Sequence, residues 1–283
     1  DEVPAIAVHP SPKDWRYRVR ATWQIDREKR EIGYYERGSR RVCDVEYCAV
    51  LMPELQETLE RVRATDWTEF PPDLKHLDAV AGEDEVSLSP PFGEFETNEL
   101  SMRVGNEVYQ YNADSFFQIN PALLPDLVDF ALSDVGGETA LDLYCGVGLF
   151  TLPLARRFEK VVGVEANPVA TRFARRNLDQ AGLTNARVVT ATVAGWVRAN
   201  KNTDLVDFVL LDPPRAGAES VVIKGMLDLQ PKRISYVSCD PATLARDLRK
   251  LIAGGYTIDS ISGFDLFPQT HHVETVVLLR RSM

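Results

Sequence analysis

No stretch of this chain stays apolar for anything near the ~20 residues that a helix needs to cross a bilayer. Its N-terminus also lacks the basic-then-apolar order of a signal peptide. A cytoplasmic protein with no membrane partner is therefore expected. Cysteine is scarce, with four residues in 283 (Cys43, Cys48, Cys145 and Cys239), too few for the disulfide scaffolds of small secreted domains. Cys43 and Cys48 have no second cysteine or histidine pair near them, so they read as two small apolar residues rather than half a zinc site, and no metal site is expected. The dinucleotide fingerprint G-x-G-x-x-G is incomplete as well. Gly146-Val147-Gly148 is followed by Leu149, Phe150 and Thr151, which disfavours a pyrophosphate ligand.

Net positive charge is missing too. The formal charge is -10, and spread evenly it would argue against a nucleic-acid partner. It is not spread evenly. Residues 51–100 hold 13 acids and 3 bases, whereas the rest of the chain holds 29 of each. A nucleic-acid partner for the remainder is thus not excluded.

What is present is an ordinary soluble composition, 45% hydrophobic and 26% charged, in a chain long enough for two domains. The first 50 residues predict a β-rich start: residues 17–23 alternate, 32–36 form a second short strand, and Arg37-Gly38-Ser39-Arg40 is a turn. A period of two puts Arg16, Arg18 and Arg20 on one strand face, interleaved with Trp15, Tyr17 and Trp23. Two readings stand open for that face, a solvated surface and an RNA-contacting stripe. Leu51, Leu55, Leu59 and Val62, with Pro53 in the first turn, predict an amphipathic helix over 51–64. Residues 65–91 are polar and acidic, with a loop or weak strands around 74–80. Gly105-Asn106 between two alternating runs predicts a hairpin over 99–111.

Near residue 112 the pattern changes, and a boundary is expected there between domains 1–112 and 113–283. Asn120-Pro121 opens a helix that runs to Gly136-Gly137. Strands then follow at 140–143, 161–165, 186–190, 207–211 and 234–237, with helices at 149–158, 168–182, 221–229 and 241–254. This alternation predicts an α/β fold, a doubly wound parallel sheet with ligands at the carboxyl ends of its strands. Two β-like stretches at 258–263 and 273–279 predict a hairpin closing one edge.

Three strand ends carry chemistry. The run into Tyr144-Cys145-Gly146-Val147-Gly148 is a strand followed by a glycine turn, where backbone approaches a ligand closely. Glu165 ends the next strand, 19 residues after Gly146, near the ~20-residue offset at which an acid meets ribose hydroxyls. A mononucleoside ligand without phosphates, S-adenosylmethionine, fits an acid-bearing first strand better. The third is Val237-Ser238-Cys239-Asp240-Pro241, an apolar strand that delivers one thiol to the mouth of the sheet.

Six blocks support a resemblance: Phe116-Phe117-Gln118-Ile119-Asn120, the LDLYCGVGLFTLPLA run from Leu141, Val164-Glu165-Ala166, Asp212-Pro213-Pro214-Arg215-Ala216-Gly217, the Ser238-Cys239-Asp240-Pro241 run to Asp247, and Phe267 to Glu274. Together they resemble the class I S-adenosylmethionine-dependent RNA uridine-C5 methyltransferases of the TrmA/RlmD type, which make 5-methyluridine in tRNA or rRNA. The resemblance implies a Rossmann-like methyltransferase domain over 113–283, with 1–112 as a smaller β-rich RNA-recognition domain. It implies an rRNA or tRNA substrate, S-adenosylhomocysteine as product, and action as a monomer. By the same resemblance Cys239 is the nucleophile that attacks carbon 6 of uracil, and Glu274 is the base that removes the carbon-5 proton. Asp212 lies beside cofactor and target base, Gln118 reaches cofactor or uracil, and Tyr144 lines the cofactor pocket with Gly146 and Glu165. The two histidines before Glu274, His271 and His272, receive no role; read as strand residues, they point to opposite faces and cannot share a metal.

The chain departs from the family at Leu149, where an Asn or small residue is usual, and at Ala191-Thr192, where an acid or amide is usual. Both concern the edges of the cofactor. Larger relatives also carry an N-terminal barrel and a four-cysteine iron-sulfur site, which this chain lacks; it begins at Asp1, and a fragment is the expectation. RNA cytosine-C5 methylation is the alternative enzyme, disfavoured because its Pro-Cys position is occupied by Asp212-Pro213. A non-catalytic cofactor- and RNA-binding module is the alternative of another class, disfavoured by Cys239 and Glu274.

Overall fold

Alternating strands with one apolar face form an antiparallel sheet that needs a single cover, and the first part of the chain builds one. The computed structural model describes residues 6–83, 85–200 and 206–282; Asp84, in the acidic stretch, lies outside them. After a three-residue strand β1 (Ala7–His9) come β2 (Arg20–Asp26), β3 (Glu31–Tyr35), β4 (Val42–Asp44), α1 (Pro53–Ala64), β5 (His76–Ala81) and β6 (Val86–Ser89). Strands β2 to β6 form a sheet of order β4-β3-β2-β5-β6, antiparallel throughout. Helix α1 contributes Leu55, Leu59 and Val62 to a core that also holds Trp23 of β2. Gly33 lets β4 lie close, because a Cβ there would fall 1.9 Å from the Cys43 carbonyl oxygen. A hairpin, β7 (Leu100–Val104) and β8 (Glu107–Tyr111), completes this part.

The rest alternates. A 3₁₀ turn (Pro121–Leu123) leads into α2 (Leu124–Ala131), followed by β9 (Gly137–Leu143), α3 (Thr151–Ala155), β10 (Phe158–Glu165), α4 (Pro168–Gln180), β11 (Ala186–Thr190) and α5 (Val193–Ala199). Next come β12 (Phe208–Leu211), α6 (Ser220–Leu229), β13 (Arg233–Ser238), α7 (Pro241–Ala253), β14 (Tyr256–Phe264) and β15 (Glu274–Arg281). The eight-stranded sheet has the order β1-β14-β15-β13-β12-β9-β10-β11 and is parallel except for β15. From β9 the chain winds one way through β10 and β11, then returns to β12 and β13 on the other side. The crevice between the loops after β9 and β12 is the topological switch point, where such sheets bind ligands.

Local chemistry fixes the helices that face this crevice. Asn167 caps α4 by accepting from the amides of Val169 and Ala170, ahead of Pro168 in its first turn. Asp240 caps α7 by accepting from the Thr243 amide, again ahead of a proline. The hairpin is tied to this half through Tyr109, whose hydroxyl donates to the Leu149 carbonyl at 2.9 Å. Asn177 reinforces it, bonding both the amide and the carbonyl of Gln110.

Three expectations are corrected. The stripe of Arg16, Arg18 and Arg20 does not form, because Arg16 has φ +54° and β2 begins only at Arg20. Arg20 points inward, its guanidinium donating to the carbonyls of Ser115 (2.6 Å) and Ala113 (2.9 Å); Tyr17 and Trp23 are buried and only Trp15 of the three aromatics is exposed. The hairpin of β14 and β15 does not itself supply the sheet edge: β1 pairs in parallel with β14 and lies outside it, with the His9 ring stacked 4.3 Å from Phe264. Cys43 is exposed rather than packed as a small apolar residue.

Candidate active site

The loop after β9 turns through three left-handed residues, Tyr144 (φ +66°), Gly146 (φ +54°) and Gly148 (φ +97°). Tyr144 and Cys145 are held by the Val164 carbonyl, at 2.9 and 3.1 Å. The Gly146 amide donates to Oε2 of Glu165 at 3.2 Å, and Oε1 accepts the Asn167 amide at 2.7 Å. Glu165 therefore joins the ends of β9 and β10 and retains lone pairs for further donors. A Cβ at Gly146 would meet nothing nearer than the Phe116 carbonyl, 3.9 Å away. This leaves an open cradle between the glycine loop and the 116–118 segment.

Two acids sit deeper. Asp142 is wholly buried in β9; its Oδ2 accepts from Thr151 Oγ1 at 2.5 Å while its Oδ1 has no protein partner. Burial raises its pKa to about 7, the Thr151 hydrogen bond opposing and the Glu165 charge adding. Asp212, at the end of β12, is raised to about 7 by burial and by Asp142, although Gln118 Nε2 donates to it at 3.3 Å. Asp142 was not singled out from sequence; the available signal was a lone acid inside an apolar strand.

Cys239 is half-buried between β13 and α7. The antiparallel register pairs Val237 with Val276 and Ser238 with Thr275; Cys239 follows the last residue of β13 and Glu274 precedes Thr275, and the Glu274 charge bears on the thiol. Burial and the Glu274 charge push the thiol pKa up, while Arg215 pulls it down by its charge and a hydrogen bond. Position ahead of the 13-residue α7 also favours the thiolate. Glu274 is only 2% exposed. Burial first, and Asp212 second, hold its carboxyl well above the usual range, with Arg215 opposing. Arg215 is thus the cation whose charge bears on both Cys239 and Glu274, and in the sequence it stood out only as part of the block from Asp212 to Gly217.

The structure brings Gln118, Asp212, Cys239 and Glu274 to one crevice, with Tyr144, Gly146 and Glu165 on its cofactor side. Cys145 is buried, in keeping with packing. The histidine geometry is corrected: β15 begins at Glu274, and His271 and His272 lie in the turn before it with ring centroids 4.1 Å apart. Among the described residues no group of three His, Cys, Asp or Glu side chains is placed to hold a metal ion. The donor set fits S-adenosylmethionine: an open glycine cradle, Glu165 as an acid suited to ribose hydroxyls, and the unpartnered oxygen of Asp142 for a cationic group.

Comparison with known proteins agrees with this geometry. The family model tRNA (Uracil-5-)-methyltransferase matches residues 93–282. An RNA methyltransferase of Gloeobacter violaceus is 32% identical, over 99% of this chain and 74% of that one. The 23S rRNA (uracil(1939)-C(5))-methyltransferase RlmD of Marinomonas posidonica is 33% identical, over 94% and 69%. Among solved structures, the Pyrococcus abyssi tRNA (uracil-54, C5)-methyltransferase in complex with S-adenosyl-L-homocysteine superposes with a TM-score of 0.77 at 27% identity, covering 97% of this chain and 78% of that one. The family model covers more than half of the chain, and on this extent the chain belongs to the tRNA (uracil-5-)-methyltransferase family.

Proposed function

We propose that this S-adenosylmethionine-dependent RNA uracil-C5 methyltransferase works through a covalent bond between Cys239 and its substrate. The Cys239 thiol releases its proton at the mouth of the crevice and the thiolate adds to carbon 6 of uracil. That addition breaks the C5–C6 double bond and moves the electron pair to carbon 5 and the 4-oxygen. S-adenosylmethionine supplies an electrophilic methyl group, which carbon 5 accepts as the S–CH3 bond breaks and S-adenosylhomocysteine is left as a neutral thioether. Glu274 then removes the carbon-5 proton, the double bond re-forms, and the C6–S bond breaks to return the thiolate.

The observation that carries this reading is the antiparallel register that ends at Ser238 and Thr275, one residue short of Cys239 on one strand and of Glu274 on the other, with the Arg215 charge acting on both groups. Arg215 stabilises the thiolate before addition and the ionised carboxylate before proton removal. Asp212 repels Glu274, so when ionised Glu274 is a stronger base than an exposed carboxylate. Asp142, Asp212 and Glu165 hold the cofactor, and Tyr144 and Gly146 form its wall. Residues 1–112 present the RNA to the catalytic part, 113–283. Tyr17 donates to the Pro268 carbonyl at 2.9 Å, tying the segment of exposed Trp15 and Arg16 to the loop before Glu274, and these two side chains with exposed Phe116 are the RNA contacts of this reading. Arg172 and Arg176, by contrast, pair with Glu99 and are poor candidates. The substrate is a uridine in tRNA or rRNA, and the enzyme acts as a cytoplasmic monomer.

RNA carrying 5-fluorouridine tests the covalent step, because fluorine at carbon 5 cannot leave as a proton. The expected result is a denaturation-resistant protein–RNA band that requires S-adenosylmethionine and disappears in Cys239→Ala. An adduct that survives in Cys239→Ala refutes the assignment.

A further inference from the structure

Residues 212–219 carry Asp212 and Arg215, yet no regular element begins until α6 at Ser220. What holds the segment is one face of α7. Asp247 is wholly buried. Its Oδ2 accepts from the Tyr236 hydroxyl (2.8 Å), the Ala218 amide (2.9 Å) and Arg246 Nη2 (3.0 Å), and its Oδ1 accepts from Arg246 Nε (2.9 Å). Arg246 Nη2 also donates to the Ala216 carbonyl at 3.0 Å. One turn earlier Thr243 Oγ1 donates to the carbonyl of Arg215 itself, at 3.2 Å. One turn later Lys250 Nζ donates to Ser220 Oγ at 2.9 Å. The fit is tight at Gly217 (φ +74°), where a Cβ would fall 2.5 Å from Arg246 Nη2 and 2.7 Å from Asp247 Oδ2.

The same helix starts at Pro241, two residues after Cys239. One rigid element therefore holds the thiol at its N-terminus and anchors the Arg215 loop two turns in. Burying an acid with a full set of donors is costly, and packing α7 on the sheet does not require it: Leu244, Leu248 and Leu251 already supply an apolar face. We propose that Asp247, together with Arg246, is a positioning residue, clamping the backbone of residues 215–218 to α7 and so fixing where Arg215 stands relative to Cys239, which precedes the same helix. The consequence for catalysis rests on Cys239 being the nucleophile.

The test is the pH dependence of Cys239 alkylation by iodoacetamide, read by mass spectrometry of the peptide that contains it, in the full chain. Asp247→Asn and Arg246→Ala are each expected to raise the alkylation midpoint by about one pH unit, roughly tenfold less thiolate at a fixed lower pH. Arg246→Lys should fall between Arg246→Ala and the parent. Arg215→Ala should give a shift of similar size, and adding Arg246→Ala to it should shift the midpoint no further. A midpoint unmoved in Arg246→Ala, or additive shifts in the double variant, overturns the proposal whatever happens to the melting temperature. Arg246 is part exposed, so this arm stands even where Asp247→Asn unfolds. If Cys239→Ala keeps methyl transfer while the midpoints still shift, the clamp holds and the nucleophile assignment alone falls.

Discussion

Glu274→Gln separates the two halves of the reaction. At 2% exposure the side chain sits in a closed slot, and glutamine fills that slot at nearly the same volume while removing the charge. Because Glu274 raises the pKa of the Cys239 thiol, its neutral replacement should not slow addition to carbon 6 and should modestly favour it. Proton removal is another matter, since a positioned general base contributes about 10²–10⁴-fold. The expected variant therefore forms adduct and transfers methyl at close to the parent rate, then releases product ~10²–10⁴-fold more slowly. Single-turnover assays on RNA tritiated at uridine carbon 5, with labelled methyl donor, follow both events at once. Methyl label should accumulate on protein-bound RNA while tritium release lags. Tritium release that keeps pace with methyl transfer, or absence of any adduct, would refute the role of Glu274.

Two further outcomes follow from the acids of the cofactor side. The folded-state pKa of Asp142, about 7, lies above its ordinary value of 3.8, so the folded protein holds a proton there that the unfolded chain releases. Its favourable contribution is complete below about pH 4 and is lost progressively up to about pH 7, by at most ~4 kcal/mol; Asp142→Asn should flatten the fall in unfolding free energy between about pH 4 and 7, and an unchanged slope would contradict the burial argument. Glu165→Ala should weaken S-adenosylmethionine roughly 10- to 100-fold, the worth of lost hydrogen bonds to a charged acceptor, and unchanged affinity by titration calorimetry would remove Glu165 from the cofactor site.

Much of the catalytic half was legible because its periodicity is local. Strand β11 spans the residues expected of it, and β13 and α7 lie within a residue of expectation, since apolar runs and an Asp-Pro cap speak for themselves. Cys239 could be placed at a strand end for the same reason. Pairing was not legible. Strand β1 has three residues and owes its existence to β14, more than 240 positions away. Arg20 looked like one of a basic row, but its direction is set by the carbonyls of Ala113 and Ser115. Helix α5 was missed because Gly195 lies inside it and Thr192 was read only as a family departure. Glu274 looked like one polar residue of an edge hairpin; the alignment of β15 against β13 is what buries it beside the thiol.

The reversed direction of β15 carries a chemical consequence of its own. A parallel sheet gathers only the last residues of its strands at the ligand edge, so every side chain it offers there is followed by a loop. Strand β15 enters from that edge, and its first residue, Glu274, stands there paired with Phe264 of β14, while the next residue, Thr275, pairs with Ser238 of β13. Were it parallel, its first residue would lie at the far edge, about 25 Å away at the usual rise per residue. The spacing of Cys239 and Glu274 is thus gauged by two neighbouring backbones, and a slip of one residue between them would turn the carboxyl to the other side of the sheet.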